Sequence, residues 1–203
     1  MKKRNLFVAL MMAIVMIISG CGVGTENKFI GTWTGTLDMT DYIVQSIVAQ
    51  DENLEKYAEF EDLSFTLVFE FTEENISLHL EEASTTKYIE NITVGVERMI
   101  DAMVAELATT NDMTEEDIYA GMGVTRDAYI QSVVDSMKLE TAVSEMAEAL
   151  ALKGTYKYDG EKIVVIYEDD TYEEMQYSFE GETLVITVSD GNTEHAIECK
   201  KTK

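Results

Sequence analysis

The chain has 203 residues, and 39 acidic residues against 15 basic ones give it a net charge of −24 at neutral pH. That balance excludes nucleic acid as a partner, because binding phosphates needs clustered Lys and Arg. The apolar fraction of 46% is that of a folded protein rather than an acidic disordered tail, and the length suits one domain or one domain with a large insertion.

The chain starts Met1-Lys2-Lys3-Arg4 and continues with thirteen apolar residues from Leu6 to Ile18. A basic start, a short apolar core and small residues at its end predict a secretory signal peptide over residues 1–20. The run is shorter than the ~20 residues a membrane-spanning helix needs. It ends in "IISGC", residues 17–21, which resembles the lipobox of bacterial lipoproteins. The resemblance implies cleavage between Gly20 and Cys21 and a diacylglyceryl group on the Cys21 sulfur. Two acyl chains anchor a protein stably where one does not. The expected location is the extracytoplasmic face of the cell membrane, with residues 21–28 as a tether.

Removal of residues 1–20 takes away three basic and no acidic residues, so the charge moves to −27. With Cys21 acylated, Cys199 is left without a disulfide partner, and the core must hold the fold. No proline interrupts the chain.

Residues 29–37, "FIGTWTGTL", read as a strand. Ile43, Ile47, Leu54 and Tyr57 then fall at helical spacing across 39–58, with Asp38 or Thr40 as cap. Strict alternation follows: Leu63, Phe65, Leu67, Phe69 and Phe71 share one face, and Ile76, Leu78 and Leu80 resume it after a turn at 73–75. This predicts a hairpin with one buried face.

From Ser84 to Leu152 the period is helical. Ile89, Ile92, Val96, Met99, Ile100, Met103, Val104 and Leu107 mark a first helix. Thr114 and Asp117 have the spacing of a capping box. Thr125 opens a further helix carrying Ile130, Val133, Met137, Val143, Met146 and Leu150, with Gly154 after its end. Alternation then returns in five runs separated by Asp159-Gly160, Asp169-Asp170, Glu180-Gly181 and Asp190-Gly191-Asn192, which are hairpin signals.

Eight short antiparallel strands predict a closed up-and-down barrel, because closure removes exposed edges. The fold class is α+β, with residues 84–152 as a helical insertion between strands 3 and 4 of a 29–203 domain. Such an insertion costs little where its ends meet, since loop entropy grows only logarithmically with length.

"GTWTG", residues 31–35, resembles the Gly-x-Trp signature of lipocalins and lipocalin-like bacterial lipoproteins. The Tyr156–Ile163 hairpin is similar to those domains too. The resemblance implies that Gly31 and Trp33 plug the closed end of the barrel and that the open end takes a small apolar ligand. Lipocalins often pack an arginine of the last strand over this tryptophan, whereas here that strand ends in Lys200 and Lys201.

No catalytic constellation stands out, and the chain is expected not to be an enzyme. His79 shares the outward parity of Ser77 and Glu81. His195 shares a strand face with Ile197 and Cys199, but no third group orients a nucleophilic pair. No His/Cys cluster has zinc spacing, and "EDDTYEE", 168–174, lacks the glycine of a calcium loop; neither metal nor cofactor is expected. Six of the eight methionines beyond residue 20 lie in the insertion. Met99, Met103, Met122, Met137 and Met146 are the candidate contacts for an apolar ligand or a protein partner, because methionine is flexible and polarisable. The expected function is a lipid-anchored binding module for a small apolar ligand between barrel and helices. The alternative is a chaperone-like or scaffolding module that binds protein through the insertion.

Overall fold

A computed structural model describes residues 27–189 and 194–203. The expected signal peptide, Cys21 and most of the expected tether lie outside the described residues. Residues 27–30 belong to a separate compact unit and form a turn in which Asn27 Oδ1 accepts a hydrogen bond from Phe29 N. Strand structure begins at Gly31, two residues later than the alternation suggests.

Residues 31–203 form the main unit. Its strands are β1 (Gly31–Asp38), β2 (Ser64–Phe71), β3 (Asn75–Leu80), β4 (Leu152–Tyr158), β5 (Lys162–Ile166), β6 (Tyr172–Glu180), β7 (Thr183–Ser189) and β8 (Glu194–Lys201). Each pairs antiparallel with the next, and β8 closes onto β1, giving an eight-stranded closed barrel. The β1–β2 seam is fully paired from Gly31↔Phe71 to Asp38↔Ser64. The closing seam pairs only Trp33↔Lys201, Thr34↔Lys200 and Gly35↔Cys199.

Alternation produces this core directly, since every second side chain points inward. On β2 and the residue before it, Leu63, Phe65, Leu67, Phe69 and Phe71 are buried while Glu70 is exposed. Turn chemistry sets the later hairpins: Asp159 Oδ1 accepts from the backbone N–H of Glu161 and Lys162, and Gly160 sits at φ +104°. That dihedral favours glycine.

The 39–58 segment is two elements rather than one helix. α1 (Thr40–Gln50) is followed by a 3-10 helix (Glu52–Tyr57), separated at Asp51, whose backbone is extended and whose carboxylate accepts from Asn53 N. Neither expected residue is the cap: Met39 occupies that position. Asp38 Oδ1 accepts from Thr40 N, and Thr40 Oγ1 accepts from Leu63 N.

The insertion lies between β3 and β4, as four helices: α2 (Glu82–Thr110), α3 (Glu115–Gly121), α4 (Arg126–Met137) and α5 (Leu139–Leu150). Thr114 and Asp117 form the expected capping box, and Thr125 Oγ1 accepts from Ala128 N at the start of α4. The single helix expected across 126–150 is broken at Lys138, which adopts a left-handed conformation with φ 50°. Gly154 is not a helix stop. It lies inside β4, where an added Cβ would come within 2.5 Å of the Ile166 carbonyl oxygen.

The first half of α2 is fastened to the barrel. Ser84 Oγ accepts from Thr66 N and donates to Glu81 O. Tyr88 stacks on Phe65 with ring centroids 4.2 Å apart. Gly95 lies so close to the Phe60 ring that a Cβ there would stand 2.2 Å from it. Lys87 pairs with the Asp62 carboxylate and Asn91 Nδ2 donates to Asp62 O.

Candidate functional site

Trp33 is 3% exposed. Phe179 meets it edge-on at 5.9 Å, and Lys201 Nζ stands 5.5 Å from its ring centroid. Where lipocalins often place an arginine of the last strand over the tryptophan, this chain places Lys201. The Trp33↔Lys201 register puts it there, and a cation near an indole face is stabilised by the ring quadrupole. Gly31 at φ +129° leaves no room for a side chain, because a Cβ would lie 2.3 Å from Lys203 O. The chain end lies against β1 here, with Thr32 N donating to Lys203 O and Thr202 N to Thr32 O. Gly31 and Trp33 thus lie together at one end of the barrel, toward Phe71. The opposite end, toward Leu37 and Phe65, receives α2.

Between these ends the interior is filled by the barrel's own side chains. Leu63, Phe65, Phe69, Ile163, Val165, Leu184, Ile186 and Cys199 are fully buried. A Cβ on the inward Gly35 would fall 2.5 Å from Ile197 Cγ2 and 2.8 Å from Cys199 Sγ. Small barrels are commonly filled in this way.

His79 is exposed on the outer face and His195 is half-buried. The Cys199 thiol is fully buried, its Sγ 3.6 Å from Ile197 O, and burial pushes its pKa up to about 12. A thiol so placed holds its proton at neutral pH and is a poor nucleophile. At the 168–174 hairpin, Asp169 Oδ1 accepts from Thr171 N and Oγ1. That carboxylate serves the turn, and no metal-ligating cluster is found among the described residues.

The five candidate methionines differ in exposure. Met99 and Met146 are half-buried, whereas Met103, Met122 and Met137 are exposed, as are Leu107, Met113 and Val124. On α2 the buried positions are Ser84, Tyr88, Ile92, Gly95, Val96, Ile100, Val104 and Ala108. Met99, Met103 and Leu107 form a neighbouring stripe at four-residue steps. Glu106, three residues beyond Met103, accepts from Lys56 Nζ and Tyr57 Oη of the 3-10 helix.

A second surface lies where α3 meets α4. Arg126 grips Asp101 of α2 through two bonds, Nε to Oδ1 at 2.7 Å and an Nη to Oδ2 at 2.6 Å. Its other Nη donates to Asp127, and these carboxylates hold the guanidinium protonated above its ordinary range. Beside it is a cleft of about 450 Å³ lined by Glu115, Glu116, Tyr119, Ala120, Val124, Thr125 and Arg126. Tyr119 is 5% exposed, and its buried hydroxyl has no hydrogen-bond partner among the described residues. The sequence singled out none of these cleft residues as a contact. The acidic pair reads as a helix start, and only the fold brings Arg126 and Tyr119 together.

No family model matches this chain, and no curated protein and no solved structure matches it. The closed eight-stranded antiparallel barrel is consistent with the lipocalin resemblance at the level of architecture.

Proposed function

We propose that the chain is a lipid-anchored, extracytoplasmic protein of lipocalin-like build whose barrel is a scaffold and whose helical insertion recognises a protein partner. The observation that carries this reading is the contrast between the two parts. The barrel interior is occupied by inaccessible side chains, while the insertion exposes Met103, Leu107, Met113, Met122, Val124 and Met137. Pliable methionines rimmed by charge suit a protein surface. The anchor rests on the "IISGC" box, and Cys21→Ala is expected to move the protein from the membrane fraction to the soluble or unprocessed pool. Among the described residues, no helix is long and apolar enough to cross a membrane.

A small apolar ligand between barrel and helices is the second reading. It is supported by α1, on which Ile43, Val44, Ile47 and Val48 are only half-buried. Against it, Phe65 and Tyr88 already stack at the junction of α2 with the barrel.

The test is a photo-crosslinking residue placed at Met122 or at Met103 in producing cells, with the same residue at Lys157 on the barrel as comparison. Discrete protein adducts from the insertion and none from Lys157 are expected. Adducts from Lys157 alone would contradict the assignment.

A further inference from the structure

The pairings that run from Gly31↔Phe71 round the barrel to Trp33↔Lys201 gather four segments at its closed end: 72–74, 157–162, 180–183 and 200–203. Their side chains carry six carboxylates and five lysine ammonium groups, so this end is close to neutral. The insertion leaves and rejoins the barrel at the opposite end, and residues 82–151 carry fourteen acidic and four basic side chains. The closed end is also aromatic. Phe179 has Trp33 and Tyr177 as neighbours, each at 5.9 Å between ring centroids. Phe71 meets Tyr156 edge-on at 5.3 Å, and Tyr158 stacks on Tyr156 at 6.2 Å. The outer rings of this cluster reach solvent: Tyr158 is 43% exposed, and Tyr177 and Phe179 are half-buried.

Reach, ring chemistry and charge suit this end to one partner. Ten residue steps separate Cys21 from Gly31, so Gly31 stays within ~36 Å of an acyl group on Cys21 however those residues fold. Tyrosine, with an apolar ring and a polar tip, is favoured at the boundary between lipid and water. A bilayer with anionic lipids repels the strongly negative insertion far more than the near-neutral closed end, whose exposed lysines can meet phosphates. From these, and resting on the lipid-anchored reading above, we infer that the closed end of the barrel docks on the headgroup layer of the membrane that holds the anchor. Tyr158, Tyr177 and Phe179 then face the lipid interface, Lys200 and Lys203 face its phosphates, and the insertion is turned to the aqueous side.

The experiment uses the full-length lipidated chain in vesicles of phosphatidylethanolamine and phosphatidylglycerol, with a nitroxide on some of the headgroups. Cys199 is fully buried, so an added surface cysteine is the site that takes a thiol dye. The dye is placed at Glu182→Cys on the closed end or at Met122→Cys on the insertion. Strong quenching at Glu182→Cys and little at Met122→Cys is expected. Equal quenching at both, or stronger quenching at Met122→Cys, would overturn the inference. Tyr158→Ser should lower the quenching at Glu182→Cys, the docked-to-undocked ratio falling roughly two- to fivefold as aromatic surface is lost from the interface. Tyr172→Ser, at the opposite end and 68% exposed, should leave it unchanged. Quenching indifferent to Tyr158→Ser would also contradict docking, because tethering alone would then hold the closed end near the lipid. The intact mass is measured first. A diacylglyceryl group on a chain without closed-end quenching removes the docking and keeps the anchor. A chain lacking that group removes the anchored reading and the docking with it.

Discussion

Trp33 is the single tryptophan of the chain, so its fluorescence reports one environment. Buried at 3% exposure against Phe179 and beneath Lys201, it should emit at short wavelength and resist quenching by iodide. Trp33→Ala is expected to cost about 3–5 kcal/mol, as deletion of a large buried aromatic does. A solvent-like emission from the folded protein would contradict the plug. Cys199 gives a second residue-level test. Its ordinary value of 9.0 is raised to about 12 by burial, so the unfolded chain releases the proton first. The stability that this site contributes is whole below pH 9 and lost progressively as pH rises toward 12. Native protein at pH 8 should therefore leave Cys199 unmodified by a thiol reagent until denaturant is added. The sequence names Lys200 and Lys201 at the end of the last strand, but which of them meets Trp33 depends on the β1–β8 register, which exists only once the barrel closes.

At the level of elements, α2 plays two parts. Its buried positions run from Tyr88 through Ile92, Val96, Ile100 and Val104 to Ala108 in steps of four. Each such step advances about 40° around a helix of 3.6 residues per turn. The buried stripe therefore winds from the barrel side to the side that meets α3 and α4. This is why Met99, Met103 and Leu107, which share the helical periodicity of the buried residues, are left half-buried or exposed. The strands were far more legible, because alternation over Leu63–Phe71 has only one solution on a half-buried sheet. The break at Lys138 was not, since no glycine or proline announces it. Tyr88→Ala should cost about 3–5 kcal/mol in denaturant unfolding, since the ring is stacked on Phe65. Met122→Ala, on the exposed end of the insertion, should change stability by no more than about 0.5 kcal/mol. If Met122→Ala destabilised the chain as much as Tyr88→Ala, the outer helices would be part of the core and not a presenting surface.

For the whole molecule, the barrel closes with a single short seam at β1–β8 and still buries its interior completely at Phe65, Phe69, Ile163, Leu184 and Ile186. Helices then carry the surface that varies in chemistry: an apolar stripe on α2 and an acidic, aromatic cleft between α3 and α4. Eight strands and an insertion after the third were readable from period changes along the chain. The cleft was not, because Asp101, Tyr119 and Arg126 come from three helices and share no spacing. The central claim is that recognition belongs to the insertion and that the barrel holds no ligand of its own. Native mass spectrometry of the full-length protein, extracted gently from the membranes of producing cells, tests it most directly. The account predicts the mass of the chain with its anchor, alone or with a bound protein, and no retained small molecule. A small apolar molecule held one-to-one would contradict it.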